Sequence, residues 1–317
     1  MEAGYEKPKY LPGDAKTGGR QLTEHSWEGY LRNLGTWIGK RALSNARGKV
    51  LIDLPTRTTA ERFRTPQSEE FVLWRFAVRT ADGIDEQEEE WSRSELADFG
   101  ALAGDGCFSV GAEIFSGEPI TIDQCLMDSS FRVRTTHAFD WEGCVSGIVA
   151  TRERLVPKGE PLEKSLKLSF VEPAAWRSPR ILFDYILGVW EGKGIAVHAR
   201  TGQVYQLTSR LKISQSIEGK VTESSILRIG EEGPSRVYDA SGRIDGNFII
   251  YAMSNVQVFL LPGGVSIGSP IRIRKGRPFT IESAFLMRPD CRKRVIRLYN
   301  NQCEWVNTVF INERRVG

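Results

Sequence analysis

Two short segments of the chain carry apolar residues at helical spacing, and each stands just before a Gly-x-Trp-x-Gly motif. In both segments the apolar residues recur at intervals of three and four, which places them on one face of a helix. We predict that the first helix ends at Gly35 and the second at Gly188. The two apolar stripes consist of Trp27, Tyr30, Leu31 and Leu34 and of Ile181, Leu182, Tyr185 and Ile186.

After each motif the pattern changes to short stretches rich in β-branched and aromatic residues, divided by Gly, Pro, Asn and Asp. Such stretches predict sequential strands joined by tight turns, and one of these turns is expected at Ser241-Gly242. Such a run of strands after one helix is typical of an up-and-down meander or barrel, whereas a β-sandwich usually has longer crossover connections. In the second half the predicted strands are 204–214, 220–229, 236–238, 248–253, 256–261, 279–286, 292–299 and 304–314.

The two halves of the chain repeat each other. Short segments recur in the same order, and the offset between partners rises only from 153 to 160 residues. This collinearity predicts a first barrel over 22–158 and a second over 177–317, with a flexible segment at 1–21 and a linker at 159–176. The expected fold class is therefore all-β, with two tandem antiparallel β-barrels, each with an N-terminal helix. The paired segments are 35–40 with 188–193, 106–111 with 263–268, 119–122 with 278–281, 130–134 with 290–294, and 152–154 with 312–314.

The composition narrows the classes of function. The 317 residues include 43 Lys+Arg and 40 Asp+Glu, and a net charge of +3 argues against a protein that coats nucleic acid or an anionic membrane. No apolar stretch approaches the roughly 20 residues that a membrane span requires. The odd number of cysteines, 5, and the lack of a Cys-x-x-Cys pair indicate reduced thiols in a cytosol-like compartment.

Three motifs that would suggest catalysis or metal binding have simpler interpretations. Residues 264–268 match the Gly-x-Ser-x-Gly elbow of hydrolases, but an alternating segment follows and the last histidine is His198, so we predict a strand. His25, His137 and the scattered cysteines lack metal-ligand spacing, and no metal is expected. The acidic run 86–90 is interpreted as a solvated loop between strands.

Arginines alternate along one predicted strand in each half. Because successive strand residues point to opposite faces, Arg132 and Arg134 share one face, and the repeat pairs Arg292 with Arg294. Two interpretations remain open: an outer face with solvated arginines, or an inner face on which a pair holds a ligand carboxylate bidentately. Buried arginines need a partner. The internal candidates on the next predicted strand are Glu153 and Glu313.

The opposite faces of these two strands differ. Phe131 and Val133 make that face apolar in the first half, and we therefore slightly favour the first lobe as the one that binds a ligand. In the second half Lys293 and Arg297 make the same face basic, which indicates that it is exposed to solvent.

Each Gly-x-Trp-x-Gly motif places one tryptophan between two glycines. We predict that Trp37 and Trp190 occupy equivalent buried positions where the helix meets the first strand, so that each indole closes one end of its barrel. Both tryptophans are included with the arginines and glutamates in the candidate ligand-binding set.

At this point the chain resembles a known group of proteins. Residues 123–136 and 285–299 resemble the late-strand hairpin of the S-type phycobiliprotein lyases, in which an Arg-x-Arg strand follows a turn. The helix followed by Gly-x-Trp-x-Gly is similar to the same calycin group. The doubled arrangement is most similar to a cyanobacterial and plastid family of unknown function with two lipocalin-like lobes. The resemblance covers roughly residues 22–317.

The resemblance implies two lipocalin-like barrels, each able to hold an apolar or amphipathic molecule. In the lyases the ligand is an open-chain tetrapyrrole whose propionates meet arginines like Arg132 and Arg134, and the barrel delivers it to a cysteine of an apoprotein. The lyases have one lobe, whereas this chain is about twice their length.

The expected function is a lipocalin-like binding protein or chaperone for a hydrophobic or amphipathic small molecule of pigment, bilin, isoprenoid or fatty-acid type. Two alternatives stay open: an enzyme on the same scaffold, namely a chromophore lyase or a cyclase or isomerase, and a structural subunit that docks on a larger complex. We expect no covalent cofactor but a bound pigment or lipid, and a photosynthetic or pigment-carrying protein as partner. Nucleic acid and a membrane span are not expected. The expected location is the cytoplasm or the plastid stroma.

Overall fold

The computed structural model describes residues 22–66, 69–159, 179–230 and 235–316. Within these ranges the chain is mostly antiparallel β-structure in two lobes, which confirms the predicted fold class. The segment 1–21, expected to be flexible, and the expected linker from residue 160 onward lie outside the described residues. In the described part of the chain, no helix is long and apolar enough to cross a membrane.

The first lobe begins with a helix whose N-terminus is capped by Thr23, and its strands then form one curved sheet. The helices are α1 (Glu24–Leu31) and α2 (Arg93–Phe99). The strands are β1 (Gly35–Asn45), β2 (Val50–Arg64), β3 (Glu70–Arg79), β4 (Ile84–Ser92), β5 (Gly100–Leu102), β6 (Phe108–Gly111), β7 (Ile120–Asp128), β8 (Phe131–Phe139) and β9 (Val145–Leu155). Their order in the sheet is β4-β3-β2-β1-β9-β8-β7-β6-β5.

The second lobe begins with α3 (Pro179–Ile186), and its strands form a closed barrel in which the last strand pairs with the first. All of the predicted strands of this lobe are present, and the predicted small-residue strand is found at Val265–Pro270. The strands are β10 (Gly188–His198), β11 (Val204–Gln215), β12 (Lys220–Ile229), β13 (Ser235–Asp245), β14 (Phe248–Tyr251), β15 (Val256–Leu261), β16 (Val265–Pro270), β17 (Phe279–Arg288), β18 (Cys291–Tyr299) and β19 (Trp305–Val316).

The two lobes differ in closure. In the described residues β4 and β5 are not paired, so the first sheet stays open where the second lobe is closed. The reason is local: α2 and the short β5 follow β4, whereas the hairpin of β14 and β15 follows β13. A capping box between Ser92 and Glu95 starts α2 immediately after β4, and this ends the strand.

The acidic run 86–90 is part of an edge strand, which corrects its assignment to a loop. Strand alternation explains why so acidic a segment is compatible with β-structure. Glu86, Glu88 and Glu90 point to the solvent side, while Gln87 and Glu89 on the other face line the interior of the lobe.

Three other predictions, the ends of two helices and the position of one turn, were wrong. The helices end before the glycines, at Leu31 and Ile186, and Gly35 and Gly188 are instead the first residues of β1 and β10. Both glycines have φ near +115°, at +112° and +119°, so each supplies the left-handed backbone that turns the chain from helix into strand. The turn expected at Ser241-Gly242 does not exist, because β13 continues through it.

The lobes pack against each other through strands β6, β7 and β9 of the first and β16, β17 and β18 of the second. One hydrophobic cluster contains buried residues of both lobes, including Ile122 and Leu126 together with Val265 and Ile281. At its centre Ser283 donates a hydrogen bond to Gln124 at 2.6 Å, so a buried polar contact also fixes the relative position of the lobes.

The outer face of β18 lies in this interface, which corrects the expectation that it is exposed to solvent. Arg297 is completely buried, and the ammonium group of Lys293 donates a hydrogen bond to Asp105 at 2.7 Å. Basic side chains are stable there because the first lobe supplies backbone carbonyl oxygens and a carboxylate as acceptors.

Candidate functional site

Each lobe contains a buried cluster of one glutamate and two arginines. In the β8–β9 register Arg132 lies opposite Glu153, and in the β18–β19 register Arg292 lies opposite Glu313. Both glutamates are completely buried. The arginines point to the interior of each lobe, and a buried glutamate there is their ion-pair partner. Buried guanidinium groups require such a partner.

In the first lobe both arginines bind the same carboxylate. The Arg132 Nε donates to Glu153 Oε2 at 2.7 Å, and Arg134 Nε donates to the same oxygen at 3.2 Å. Thr58 donates its hydroxyl to the other carboxylate oxygen. Although burial raises the pKa of Glu153, the charges of Arg132 and Arg134 lower it to about 2, so this group is ionised at neutral pH.

The second lobe repeats this arrangement with one addition. Arg292 Nε donates to Glu313, and Arg294 Nη2 lies 3.0 Å from Glu313 Oε1. Burial opposes ionisation of Glu313, but Arg292 and Arg294 nevertheless hold its pKa below the ordinary value. Arg294 also contacts Glu282, with its Nη1 at 3.2 Å from Oε1. The second cluster therefore contains a second carboxylate.

The two motif tryptophans lie beside these clusters. Trp37 and Trp190 are completely buried, as predicted, and each indole N–H donates to a backbone carbonyl four residues earlier at 2.9 Å. The guanidinium of Arg132 lies 4.0 Å from the Trp37 ring centroid, and that of Arg292 lies 4.4 Å from the Trp190 ring centroid. Each tryptophan thus packs against the first arginine of its cluster and holds it in place.

The second glycine of each motif also has a structural explanation. Gly39 lies opposite Glu153 and Gly192 opposite Glu313 in the adjacent strand. A Cβ atom at Gly192 would lie 2.6 Å from the Glu313 Cγ atom, so a side chain there would displace the buried carboxylate. The second glycine of the motif therefore leaves the space that the buried glutamate occupies.

The interior of the first lobe is largely filled by its own aromatic side chains. Tyr30 stacks on Trp27 and contacts Trp74 and Phe108, with ring centroids between 5.3 and 6.2 Å apart. The remaining cavity has a volume of about 70 Å³. Arg134 lines it, but Arg132 does not.

The interior of the second lobe contains a cavity of about 540 Å³. Both Arg292 and Arg294 line it, whereas Trp190 lies behind Arg292. Apolar side chains, most of them aliphatic, form the larger part of the remaining wall. These include Leu211, Ile213, Leu227, Ile249, Val256, Val258, Ile296 and Leu298.

Further carboxylates face these interiors, and the sequence analysis did not select them. Burial, assisted by the neighbouring Glu282, raises the pKa of Glu223 to about 7 in the second lobe. Burial and Glu89 raise the pKa of Asp123 to about 7 in the first. Glu282 could have been found from the repeat, because it follows the segment 278–281 as Asp123 follows 119–122.

The structure thus brings the candidate residues together as two separate clusters, one in each lobe. The larger cavity lies beside the second cluster, although the apolar face of Phe131 and Val133 had favoured the first lobe. Val133 is buried against the second lobe, while Phe131 is 44% exposed at the strand end. Among the described residues, no group of histidine, cysteine, aspartate and glutamate side chains could hold a metal ion.

Comparisons with known proteins cover both lobes. Residues 23–158 match the family model described as domain of unknown function (DUF3598), N-terminal. Residues 177–316 match the model described as biogenesis factor required for ATP synthase 1, C-terminal domain. No curated protein matches the chain.

Several solved structures are similar to the chain. A protein of unknown function from the DUF3598 family of Nostoc punctiforme is 25% identical, with a TM-score of 0.73, over 92% of this chain and 99% of that chain. An S-type phycobiliprotein lyase from Guillardia theta is 12% identical, with a TM-score of 0.35, over 44% of this chain and 93% of that chain. The first of these and the DUF3598 match confirm the predicted resemblance to a two-lobed family of unknown function.

Proposed function

We propose that this protein is a carrier or chaperone for one amphipathic small molecule, bound without a covalent link inside the barrel of the second lobe. The single observation that carries this proposal is the cavity of about 540 Å³ beside the cluster of Arg292, Glu313 and Arg294. Binding pockets for small molecules usually have volumes of about 300–1,000 Å³, with mostly apolar walls and a few polar groups that orient the ligand.

The chemistry of the wall supports this type of ligand. Its aliphatic side chains would contact the apolar part of a pigment, an isoprenoid or a fatty-acid-type molecule. Four charged side chains lie together on β12, β17 and β18, namely Glu223, Glu282, Arg292 and Arg294, so the polar end of a ligand would lie there. In this proposal the first lobe stabilises the barrel of the second lobe through the interface between the two lobes. The free thiols of all five cysteines fit a reducing compartment such as the cytoplasm or the plastid stroma.

A pair of variants tests the proposal. Ser225 lines the cavity, whereas the neighbouring Ile226 is on the outer face of β12 and 40% exposed. Ser225→Trp would fill part of the cavity, and Ile226→Trp adds the same side chain outside it. The parent and both variants are purified from the native host, and their extracts are compared by mass spectrometry. A small molecule that accompanies the parent and Ile226→Trp but not Ser225→Trp supports the proposal; equal extracts contradict it.

A second candidate function is that of an assembly factor for a protein complex. It is favoured by the match of residues 177–316 to the C-terminal domain of a factor that, by its name, is required for ATP synthase biogenesis. Cross-linking in the native host, followed by identification of the captured chains, tests this candidate. Reproducible capture of subunits of one complex supports it, and its absence leaves the carrier function as the better proposal.

A further inference from the structure

Glu223 adds a carboxylate to the second lobe at a position where the first lobe has an aromatic ring. In the strand registers it stands at the place of Trp74, whose ring centroid lies 5.0 Å from the guanidinium carbon of Arg132 and 5.3 Å from that of Arg134. Glu223 instead lines the cavity of about 540 Å³. A negative charge beside open space thus replaces a ring that packs against the arginines.

The two arginines near Glu223 are already bound to other carboxylates. Arg292 and Arg294 share the buried Glu313. The Nη1 of Arg294 also lies 3.2 Å from Glu282 Oε1. Two guanidinium groups thus have two carboxylates as partners before Glu223 is counted, and Glu223 itself makes no ion pair within the described residues. Because these arginines are held internally, a ligand carboxylate would find no unpaired guanidinium group among them.

The other groups around Glu223 add little positive charge. The hydroxyl groups of Tyr251 and Tyr238 face it from β14 and β13. Arg277 also lines the cavity, but it is exposed in the loop between β16 and β17, where water screens its charge. Burial and the neighbouring Glu282 on β17 raise the pKa of Glu223 to about 7. A cationic group beside Glu223 would supply the counter-charge that the barrel does not.

We propose that the cavity of the second lobe selects an amphipathic amine, whose protonated amino group binds Glu223 with Glu282 close by and whose apolar body contacts the aliphatic wall. An ammonium group has up to three N–H donors and no acceptor, so it fits carboxylate and hydroxyl oxygens. A fatty acid would place its own carboxylate beside these two, and like charges repel strongly where water is excluded. This inference rests on the proposed carrier function and adds the chemical class of the ligand.

Three probes with the same alkyl chain test the head group: octylammonium, octanoate and octanol. Binding to the full chain is measured by calorimetry at pH 8, where the amine is protonated and Glu223 is ionised. We expect octylammonium to bind at least about tenfold more tightly than octanoate and about threefold more tightly than octanol. Ser225→Trp should weaken the binding of octylammonium at least about threefold because it fills part of the cavity, whereas Ile226→Trp should leave it unchanged.

A further variant separates charge from shape. Glu223→Gln removes the carboxylate with little change in volume, so octylammonium should bind about tenfold more weakly, while octanol changes by less than about threefold. Glu218→Gln, in the exposed turn between β11 and β12, is the matched control and should change neither. Arg277→Gln should change the affinity for octylammonium by less than about threefold, because the charge of that exposed side chain is screened.

The dependence on pH supplies an independent readout. Below about pH 7 Glu223 holds a proton, which octylammonium must displace. The affinity of the parent for octylammonium should therefore fall about tenfold between pH 8 and pH 6, and Glu223→Gln should remove most of this dependence. Octanol should bind equally at both pH values.

The outcomes distinguish the two proposals. The amine inference is overturned, while the carrier function stands, if octanoate or octanol binds the parent as tightly as octylammonium or if Glu223→Gln leaves octylammonium binding or its pH dependence unchanged. A larger effect of Arg277→Gln than of Glu223→Gln also overturns it, as does binding of octylammonium that Ser225→Trp does not reduce. Failure of octylammonium to bind overturns the amine inference, whereas the carrier function is overturned only by equal extracts of Ser225→Trp and Ile226→Trp.

Discussion

The guanidinium group of Arg297 lies 3.7 Å from the centroid of the Trp305 ring and, from there, binds the backbone of the other lobe. Its Nη2 donates to the carbonyl oxygen of Gly111 at 2.9 Å, and its Nη1 donates to that of Ser109 at 3.3 Å. One buried side chain thus satisfies several carbonyl groups at the interface, and the two lobes depend on each other for stability.

Substitution of this arginine should therefore destabilise the whole chain. Arg297→Met keeps much of the volume but leaves buried carbonyl oxygens without a donor, and we expect a loss of about 3–5 kcal/mol in the free energy of unfolding. Urea denaturation measures it, with the exposed Lys275→Met as control. A loss below about 1 kcal/mol would show that water replaces the guanidinium group easily.

The two motif tryptophans should be equally important to stability. Trp37→Ala or Trp190→Ala removes a fully buried indole and the ring that holds an arginine, so each should cost about 3–5 kcal/mol in chemical denaturation. Trp141 is 68% exposed, and Trp141→Ala is the control, with an expected change below about 0.5 kcal/mol. Similar losses in the control and in the buried variants would contradict this explanation of the motif.

The buried glutamate of the first lobe predicts a specific loss of stability in acid. The pKa of Glu153 is lowered from 4.5 to about 2, so the unfolded chain binds the proton more tightly than the folded protein does. The stabilisation is therefore fully present above about pH 5 and is lost as the pH falls through about 2.

Unfolding by urea at pH 7, 5 and 3 tests this prediction. Glu153→Gln should be destabilised by about 3–5 kcal/mol at pH 7, because Arg132 and Arg134 lose their counter-charge. Its stability should also fall less between pH 5 and 3 than that of the parent. Glu86→Gln, on the exposed side of β4, should retain the acid dependence of the parent.

Glu223 predicts the opposite dependence at higher pH. Its pKa is raised from 4.5 to about 7, so the folded protein binds this proton more tightly than the unfolded chain. The stabilisation is present below about pH 4.5 and is lost as the pH rises through about 7. Glu223→Gln should not show this loss and should be more stable than the parent at pH 8, as measured by thermal unfolding; Glu218→Gln should behave as the parent.

The internal repeat explains why so much of the clusters was predictable. The ion pair of Arg132 and Glu153 recurs 160 residues later as Arg292 and Glu313. Strand alternation places the two arginines of each lobe on one face. Burial of both motif tryptophans followed from the same comparison. These features depend on local pattern and on pairing between adjacent strands, which the sequence contains directly.

Other features depend on what covers a surface, and alternation cannot show this. The basic face of Lys293 and Arg297 was expected to be in water because the residue pattern does not show that the first lobe supplies acceptors there. The open first lobe was missed because α2 has no counterpart in the repeat. The larger cavity was missed because the second lobe has small or unbranched side chains where the first lobe has rings. In the strand registers Glu223, Ser225 and Ser266 stand at the places of Trp74, Phe76 and Phe108.

The open edge of the first lobe affects how two copies of this chain would meet. An unpaired edge strand is a template for pairing with a strand of another molecule. On β4, however, Glu86, Glu88 and Glu90 alternate along the outer side of that edge. Antiparallel pairing of two such strands would bring rows of carboxylates close together, and like charges across a strand pair are unfavourable. Electrostatic repulsion therefore disfavours pairing of β4 with the β4 strand of a second copy.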